Sequence, residues 1–191
     1  MAYYKKLIGE RIYLSPRGDS PEEVEKFTKW LSDSEVTDYI SFSASLVIPS
    51  HEKEFLYSSA KNDKERSFTI VDINNDNPIG TVSLENINWV NKNAVLGIFI
   101  GEENYRNGGF GTEAIKLILD YGFNYLNLHS IRLELLDTNE RAHKCYKKCG
   151  FVDTGKHRDK TFINGKYHDI LQMDILRDEF KESCIKNKVV Q

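Results

Sequence analysis

The sequence predicts one α/β domain with a mixed sheet, antiparallel at first and parallel in its middle, and three observations support this class. The chain has 191 residues, which fits one domain at roughly 150 residues per domain. Hydrophobic residues make up 40% and charged residues 29%, a composition that supplies one packed core. The hydrophobic period changes from helical to strand-like and back along the chain. We therefore treat residues 1–191 as a single domain.

The first strand is predicted at about residues 11–14, and a helix follows it. Ser20 is the expected N-cap of this helix, with Pro21 at its first position and Glu23 completing an S-x-x-E capping box. A proline is tolerated there because the first helical N–H has no intrahelical partner. This pattern predicts that the helix begins at Pro21.

A stretch of weak periodicity covers residues 33–49, and a second helix is expected after it. We predict Ser50 as its cap, with Phe55 and Leu56 on its inner face. Irregular segments between regular elements often carry binding residues. The stretch is therefore a candidate substrate-binding loop.

The rest of the chain is predicted as a meander, two βα units and a hairpin. Three β-rich runs joined by short connections cannot contain crossovers, so they form antiparallel pairs. Asn164-Gly165 is a strong signal for a two-residue hairpin. The predicted order is strands at 67–73, 78–87 and 94–101, a helix of about four turns after Gly111, a strand at 130–136, a helix at 139–148 ended by Gly150, a strand at 151–155, and a hairpin from Phe162 to Ile175.

Composition and charge exclude several functional classes. Lys and Arg number 26 against 29 Asp and Glu, a net charge of −3, so the chain lacks the basic excess of a general nucleic-acid binder. We find no apolar run near the ~20 residues of a membrane span and no signal-peptide pattern at the N-terminus. The three cysteines lack metal-ligand spacing. We expect a cytoplasmic protein with no nucleic-acid partner, no membrane partner and no metal.

The most informative segment is the glycine-rich loop at residues 98–114, IFIGEENYRNGGFGTEA. It runs from a strand into a helix N-terminus, where free N–H groups and the helix dipole stabilise a diphosphate. Gly109 and Gly111 allow close approach of the backbone, and Arg106 adds a cation. The loop is therefore a predicted anion site.

A dinucleotide site is the first alternative for this loop. Gly109, Gly111 and Ala114 fit G-x-G-x-x-A, and Glu134 or Asp137 lies where a ribose-binding acid would lie. That fingerprint needs the first strand of a parallel βαβαβ unit, whereas here an antiparallel meander precedes the loop. A P-loop is excluded because no Gly-Lys-Ser/Thr follows the glycines.

Two motifs carry a family resemblance. R-N-G-G-F-G resembles the R/Q-x-x-G-x-G/A acetyl-CoA loop of the GNAT N-acetyltransferases, and NERAHKCYKKCGF resembles their N-x-x-A-x-x-x-Y-x-x-x-GF segment. The likeness covers roughly residues 67–176 and is greatest toward the RimJ/RimL-like and spermidine acetyltransferase branches. It implies the GNAT fold and acetyl-CoA as the acetyl donor.

The resemblance also implies roles for individual residues. Tyr146 matches the general acid that protonates the leaving thiolate, and Asn139 matches the Asn that binds the pantetheine region, although it could equally be a helix cap. The backbone of Phe99, Ile100 and Gly101 would pair with pantetheine. The implied diphosphate cradle consists of Arg106, Asn107, Gly108, Gly109, Phe110, Gly111 and Thr112.

The implied reaction is direct attack of a primary amine on the thioester, through a tetrahedral intermediate and without an acyl-enzyme. The general base stays open between Glu85, Glu102, Glu103 and water.

The acceptor is expected to be a protein N-terminus, of the ribosomal-protein type found in the RimJ/RimL-like branch, or a small amine. Spermidine is the alternative, although the acids that polyamine acetyltransferases carry at the positions of Ser83, Asn86 and Val95 are absent. A non-catalytic CoA-binding regulatory module is the alternative from another class. Self-association into a homo-oligomer also stays open.

Overall fold

The computed structural model describes residues 3–40 and 45–186. Residues 41–44 of the predicted substrate loop lie outside the described residues. The elements in chain order are β1 (Leu7–Ile8), β2 (Ile12–Pro16), α1 (Pro21–Trp30), α2 (Ser34–Thr37), α3 (Pro49–Ala60), β3 (Arg66–Asp72), β4 (Pro78–Asn88), β5 (Asn93–Ile100), α4 (Phe110–Asn124), β6 (Ser130–Leu136), α5 (Glu140–Lys148), β7 (Val152–Ile163) and β8 (Lys166–Leu176).

The strands form one sheet in the order β1-β2-β3-β4-β5-β6-β8-β7. Every neighbouring pair is antiparallel except β5 and β6, which are parallel. The prediction of a mixed sheet is confirmed, and the antiparallel pairing of β5 with β4 excludes a doubly wound dinucleotide fold. Helix α4 packs on the sheet, where Gly122 allows Ile131 and Leu84 to approach the helix closely. The hydrophobic core lies between α4 and the sheet.

Two elements differ from their predictions. Helix α3 begins at Pro49 with Ile48 as its N-cap, so Ser50 lies inside the helix and the prediction of Ser50 as the cap is wrong. A proline at the first helical position needs no hydrogen bond for its missing N–H and so starts the helix without a polar cap. Phe55, predicted to face inward, is 49% exposed.

Strand β7 is longer than predicted. The predicted strand at 151–155 and the first arm of the hairpin are one continuous strand, Val152–Ile163. Most of its residues are exposed, so its polar sequence lacks the alternation that marks a half-buried strand. The two-residue turn at Asn164-Gly165 is confirmed, with positive φ at both residues (51° and 81°).

The start of α1 shows half of the predicted capping box. The Ser20 hydroxyl accepts a hydrogen bond from the Glu23 N–H at 3.3 Å. The Glu23 carboxylate instead accepts from the Gly18 N–H and from the Thr69 hydroxyl on β3, at 3.1 and 2.6 Å. Glu23 is buried, so this contact ties the helix start to the sheet.

Within residues 3–40 and 45–186, none of the helices has the length and hydropathy of a membrane span. In the same two ranges, no three His, Cys, Asp or Glu side chains are grouped as metal ligands.

Candidate active site

The sheet opens between β5 and β6. The two strands pair through Asn93–Ser130, Ala94–Ile131 and Val95–Arg132, and the described residues show no pair beyond that register. Each strand keeps its outer partner, since β5 pairs with β4 as far as Ile100 and β6 pairs with β8 as far as Leu136. The inner edge of β5 beyond Val95 therefore presents backbone groups to a cavity.

A bulge on β4 lies at the start of this opening. The β4–β5 register shifts between Glu85 and Asn88, and Asn86 adopts a φ of 50°. Bulges bend a strand and increase its local twist. The bulge accounts for part of the divergence of β5 from β6.

A cavity of about 890 Å³ occupies the opening. Its walls are the opened strands, the glycine loop, α5 and residues from the segment that contains α2 and α3. Nine of the twelve residues predicted for the site line it: Phe99, Ile100, Arg106, Asn107, Gly109, Gly111, Thr112, Asn139 and Tyr146. The structure thus brings together both motifs, which are distant in the sequence.

The other three predicted residues shape the loop. A Cβ on Gly101 would lie 2.3 Å from the Trp30 ring, so Gly101 lets that ring pack against the end of β5. The Gly108 carbonyl accepts a hydrogen bond from Arg11 Nη1 at 2.9 Å, and the Arg11 guanidinium lies 4.5 Å from the centre of the Phe110 ring. Arg11, which the sequence analysis missed, braces the loop from outside.

The glycine loop ends in a free helix N-terminus. Gly109 is the N-cap of α4, with a φ of 83° and no side-chain cap. The N–H groups of Phe110, Gly111 and Thr112 have no hydrogen-bond partner among the described residues. Free N–H groups at the positive end of a helix dipole form an anion site. The loop therefore has the geometry that a diphosphate requires.

Arg106 faces away from this anion site. Its guanidinium lies 3.0 Å from Glu35 and 3.5 Å from Asp33, beside α2. It also donates to the carbonyls of Ile100 and Gly101 at 3.3 and 3.0 Å. The side chain is 9% exposed and already neutralised by two carboxylates. Arg106 therefore connects α2 and the residue before it to the end of β5. The sequence analysis did not predict this role.

Asn139 has the capping role that the sequence left open. Its side-chain oxygen accepts from the Ala142 N–H at 3.1 Å and so caps α5. It also lines the cavity, so the cap is compatible with a role toward a ligand.

Tyr146 is both a packing residue and a cavity residue. Its ring lies 5.8 Å from Phe151, and the residue is 8% exposed. Its hydroxyl has no hydrogen-bond partner among the described residues, and Tyr146 lines the cavity. Burial, followed by the nearby thiols of Cys145 and Cys149, raises the pKa of the phenol above its usual value of 10.0. The phenol is therefore protonated at neutral pH and able to donate a proton.

A cysteine thiol lies beside the anion site. Cys145 lines the cavity, and its Sγ lies 3.2 Å from Thr112 Oγ1. The Cys149 thiol, the Thr112 hydroxyl and the charges of Lys148 and Arg141 lower the pKa of Cys145 below its usual value of 9.0. The pKa of the buried Cys149 is raised instead, first by its interaction with Cys145.

The structure distinguishes the three carboxylates considered as bases. Glu85 lines the cavity, whereas Glu102 accepts a hydrogen bond from Trp30 Nε1 and pairs with Lys26, and Glu103 begins a short 3₁₀ helix. Glu85 Oε1 accepts a hydrogen bond from Ser83 Oγ at 2.7 Å. Among the three, Glu85 is the one that lines the cavity.

Gly97 makes room for this carboxylate. A Cβ there would lie 2.8 Å from Ser83 Oγ and 2.9 Å from Glu85 Oε1. The only signal in the sequence was a glycine inside a β-rich run, which often marks a close approach.

A largely buried arginine lies between α1 and α3. Arg17 lines the cavity, pairs with Glu52 at 3.2 Å and lies 4.4 Å from the centre of the Phe27 ring. Burial lowers its pKa from 12.5, and the carboxylates of Glu52, Glu23, Glu65 and Glu85 oppose that shift. Glu52 contacts the guanidinium directly, and the charges of the other three carboxylates also act on it. Sequence analysis missed the cluster because its five members come from five separate segments of the chain.

Known proteins resemble this chain over most of its length. The family model for the acetyltransferase (GNAT) domain matches residues 11–152. A spermidine N(1)-acetyltransferase from Vibrio cholerae is 38% identical over 130 residues, which are 68% of this chain and 74% of that protein. A putative ribosomal N-acetyltransferase, YdaF from Bacillus subtilis, is 30% identical over 102 residues, 53% of this chain and 55% of that protein.

A solved structure shares the architecture. The crystal structure of spermidine N-acetyltransferase from Vibrio cholerae in complex with CoA and spermine superposes with a TM-score of 0.81 at 28% identity. The superposition covers 88% of this chain and 97% of that one.

Proposed function

This chain belongs to the GNAT acetyltransferase family, and we propose that the primary amine it acetylates is part of a polyamine such as spermidine. Membership of the family confirms the resemblance, the GNAT fold and acetyl-CoA as the acetyl donor. The chain is an acetyl-CoA-dependent N-acetyltransferase, so the non-catalytic alternative is not retained. The polyamine was the alternative acceptor in the sequence analysis, and it is preferred here to a protein N-terminus.

The proposed donor site uses the backbone more than side chains. The free N–H groups of α4 bind the diphosphate, and the open inner edge of β5 pairs with the pantetheine arm. Phe99 and Ile100 lie at the end of that edge, so the thioester carbonyl lies near them. Backbone N–H groups aimed at a developing oxyanion stabilise the transition state.

Tyr146 is the proposed general acid. The neutral amine attacks the thioester carbon, a tetrahedral intermediate forms, and its collapse breaks the C–S bond. The departing thiolate takes the phenol proton, and the amine loses a proton to a base. Because the pKa of Tyr146 is raised, the phenol is protonated at the start of each turnover, and the phenolate left by the transfer takes up a proton before the next one.

Glu85 is the proposed base and the first carboxylate to contact the amine. It lies at the cavity wall beside the opened strands, and Ser83 fixes its orientation through the 2.7 Å hydrogen bond. A carboxylate there stabilises the incoming ammonium and then accepts its proton directly or through one water.

The observation that carries the polyamine proposal is where the Glu85 carboxylate lies. Polyamine acetyltransferases are expected to carry an acid at position 83, where this chain has Ser83. Glu85 lies two residues along the same face of β4 and reaches back to within 2.7 Å of that serine. Glu85 thus supplies a negative charge close to position 83, from the next residue on the same face of β4.

The acidic acceptor end also supports a polycation. Glu35, Glu52 and Glu85 line the cavity, and four carboxylates act on Arg17. Several carboxylates around one cavity favour a ligand with several positive charges over a monoamine. The Vibrio cholerae relative named for spermidine supports the same acceptor.

Acetyl-CoA-dependent thiol release tests the acceptor. Spermidine, butylamine, an amino sugar and an N-terminal peptide are compared at equal concentrations. We expect spermidine to have the highest kcat/KM, by about tenfold or more over butylamine, and added salt to raise the KM of spermidine alone. A preference for the peptide or the amino sugar, or equal use of butylamine, would overturn the proposal.

We also propose that residues 1–191 form one domain and that the chain self-associates. Phe162 and Tyr167 form a ring pair with centroids 5.0 Å apart near the tip of the β7–β8 hairpin and are 60% and 65% exposed. An exposed aromatic pair supports a contact between copies. Sedimentation of the wild type and of Phe162→Ser tests it, with a smaller species expected for the variant.

A further inference from the structure

Helix α5 turns a basic face toward the cavity. Arg141, Lys144 and Lys148 line the cavity together with Cys145. Their spacing of three and four residues places them on one side of the helix. We call the side of the helix formed by Arg141 and Lys148 the basic face. These residues were not part of the predicted site.

The two cations of the basic face have no internal counter-charge. Arg141 and Lys148 make no ion pair or hydrogen bond with any residue in the described part of the chain. Lys144, by contrast, pairs with Glu140 at 3.1 Å. Lys147 on the other side of the helix pairs with Asp153 at 2.6 Å. Arg141 and Lys148 are therefore the members of the helix whose charge is available to a ligand.

The basic face is close to the anion site of the glycine loop. The Cys145 thiol is 3.2 Å from Thr112 in the first turn of α4. Arg141 and Lys148 both lower the pKa of that thiol, which shows that their charges act at this point of the cavity. The same cavity thus has a backbone site for one anion and, beside it, a side-chain site for a second.

Acetyl-CoA has a second anion of that kind. Besides its diphosphate, it carries a phosphate monoester on the 3′ oxygen of its ribose, with a charge of about −1.5 to −2 at neutral pH. Charge-assisted hydrogen bonds from Arg and Lys are the usual means of binding such a group. A helix N-terminus alone cannot serve both anions, because its field falls off within one turn.

We propose that Arg141 and Lys148 bind the 3′-phosphate of acetyl-CoA and make the enzyme selective for CoA over 3′-dephospho-CoA. Both cofactors share the acetyl-carrying arm and the diphosphate, so the basic face acts on the one group by which they differ. The inference depends on acetyl-CoA as donor and not on the identity of the acceptor amine.

Calorimetric titration of CoA and 3′-dephospho-CoA tests the proposal without an acceptor. The variants are the double substitution Arg141→Gln with Lys148→Gln and the control Lys147→Gln, which removes a lysine from the same helix outside the cavity. Melting temperatures establish that each variant is folded.

We expect the wild type to bind CoA about tenfold more tightly than 3′-dephospho-CoA. In the double variant this ratio falls to about one while the affinity for 3′-dephospho-CoA stays within about twofold. Lys147→Gln keeps the wild-type ratio. A wild-type ratio near one, an equal loss for both ligands in the double variant, or the same loss in Lys147→Gln would overturn the proposal.

Discussion

Arg106 Nη1 lies 3.0 Å from Glu35 Oε2 and so joins the glycine loop to α2. Glu35 lines the acceptor part of the cavity, whereas the loop contains the free N–H groups of the anion site. The same guanidinium holds two carbonyls at the end of β5. One side chain therefore connects the proposed donor region with the proposed acceptor region, and we expect substitutions in the loop to divide into those that affect the donor and those that affect the acceptor.

Gly109→Val tests the donor side. Gly109 has a φ of 83°, and a Cβ there would lie 3.2 Å from Arg11 Nη2. A branched residue in this region costs roughly 1–2 kcal/mol and displaces the free N–H groups, so we expect the Kd for acetyl-CoA to rise about tenfold or more. The measurement is calorimetric titration. Gly165→Val is the matched control, since Gly165 has a φ of 81° with open space around it, and an equal loss of affinity there would contradict the prediction.

Arg106→Ala tests the acceptor side. The substitution releases Glu35 and Asp33 and removes the hydrogen bonds to Ile100 and Gly101. We expect the KM for the amine to rise about tenfold, while the Kd for acetyl-CoA changes by less than about threefold. Steady-state kinetics with varied amine and titration with acetyl-CoA separate the two effects. A loss confined to acetyl-CoA binding would mean that Arg106 acts on the diphosphate after all.

Glu85→Gln removes the proposed base and keeps its size. We expect kcat/KM for spermidine to fall by ~10²-fold or more, in the range of general-base contributions, with the melting temperature nearly unchanged. Glu102→Gln is the control, because Glu102 is bonded to Trp30 and Lys26. Equal losses in both variants would show a general charge effect and no base at position 85.

Tyr146→Phe removes the proton donor and preserves the ring. We expect kcat to fall by ~10²–10⁴-fold with the affinity for acetyl-CoA and the melting temperature maintained. Tyr146→Ala should also lower the free energy of unfolding by ~3 kcal/mol or more, because the ring is buried against Phe151. A fully active Tyr146→Phe enzyme would leave Tyr146 with a packing role alone.

Cys145 should be reactive and yet dispensable for turnover. Its lowered pKa means that the thiolate is present at lower pH than for a free cysteine, so alkylation should begin at correspondingly lower pH and acetyl-CoA should protect the residue. The pKa of Cys184 is raised to about 12, which makes it the unreactive control in the same chain. Peptide mass mapping after alkylation measures both. Cys145→Ala should retain kcat, and loss of turnover with intact binding would indicate an acyl-enzyme.

Local sequence signals predicted most of the helices and strands. Much of the proposed acceptor site, by contrast, depends on contacts between residues that are distant in the sequence. The start of α1 at Pro21 and the turn at Asn164-Gly165 follow from the chemistry of a few neighbouring residues. Arg17 and Glu52 are 35 positions apart and Glu35 and Arg106 are 71 apart, and no local pattern joins them. The predicted strand at 151–155 was shorter than β7, because the exposed polar residues of β7 give no strand-like pattern. Pairing with β8 stabilises the strand instead.

The gap between β5 and β6 leaves a place in the sheet that the bound acetyl donor is expected to fill. Backbone groups that would pair in a complete sheet stay open until the donor molecule supplies the missing strand. Within residues 96–100, the alternate amide hydrogens on the edge away from β4 should therefore exchange faster in the free enzyme and slow down on donor binding. A ligand held only by the native state shifts the folding equilibrium by mass action. Resistance of the enzyme to proteolysis should then rise with the concentration of acetyl-CoA, because the bound donor completes the sheet.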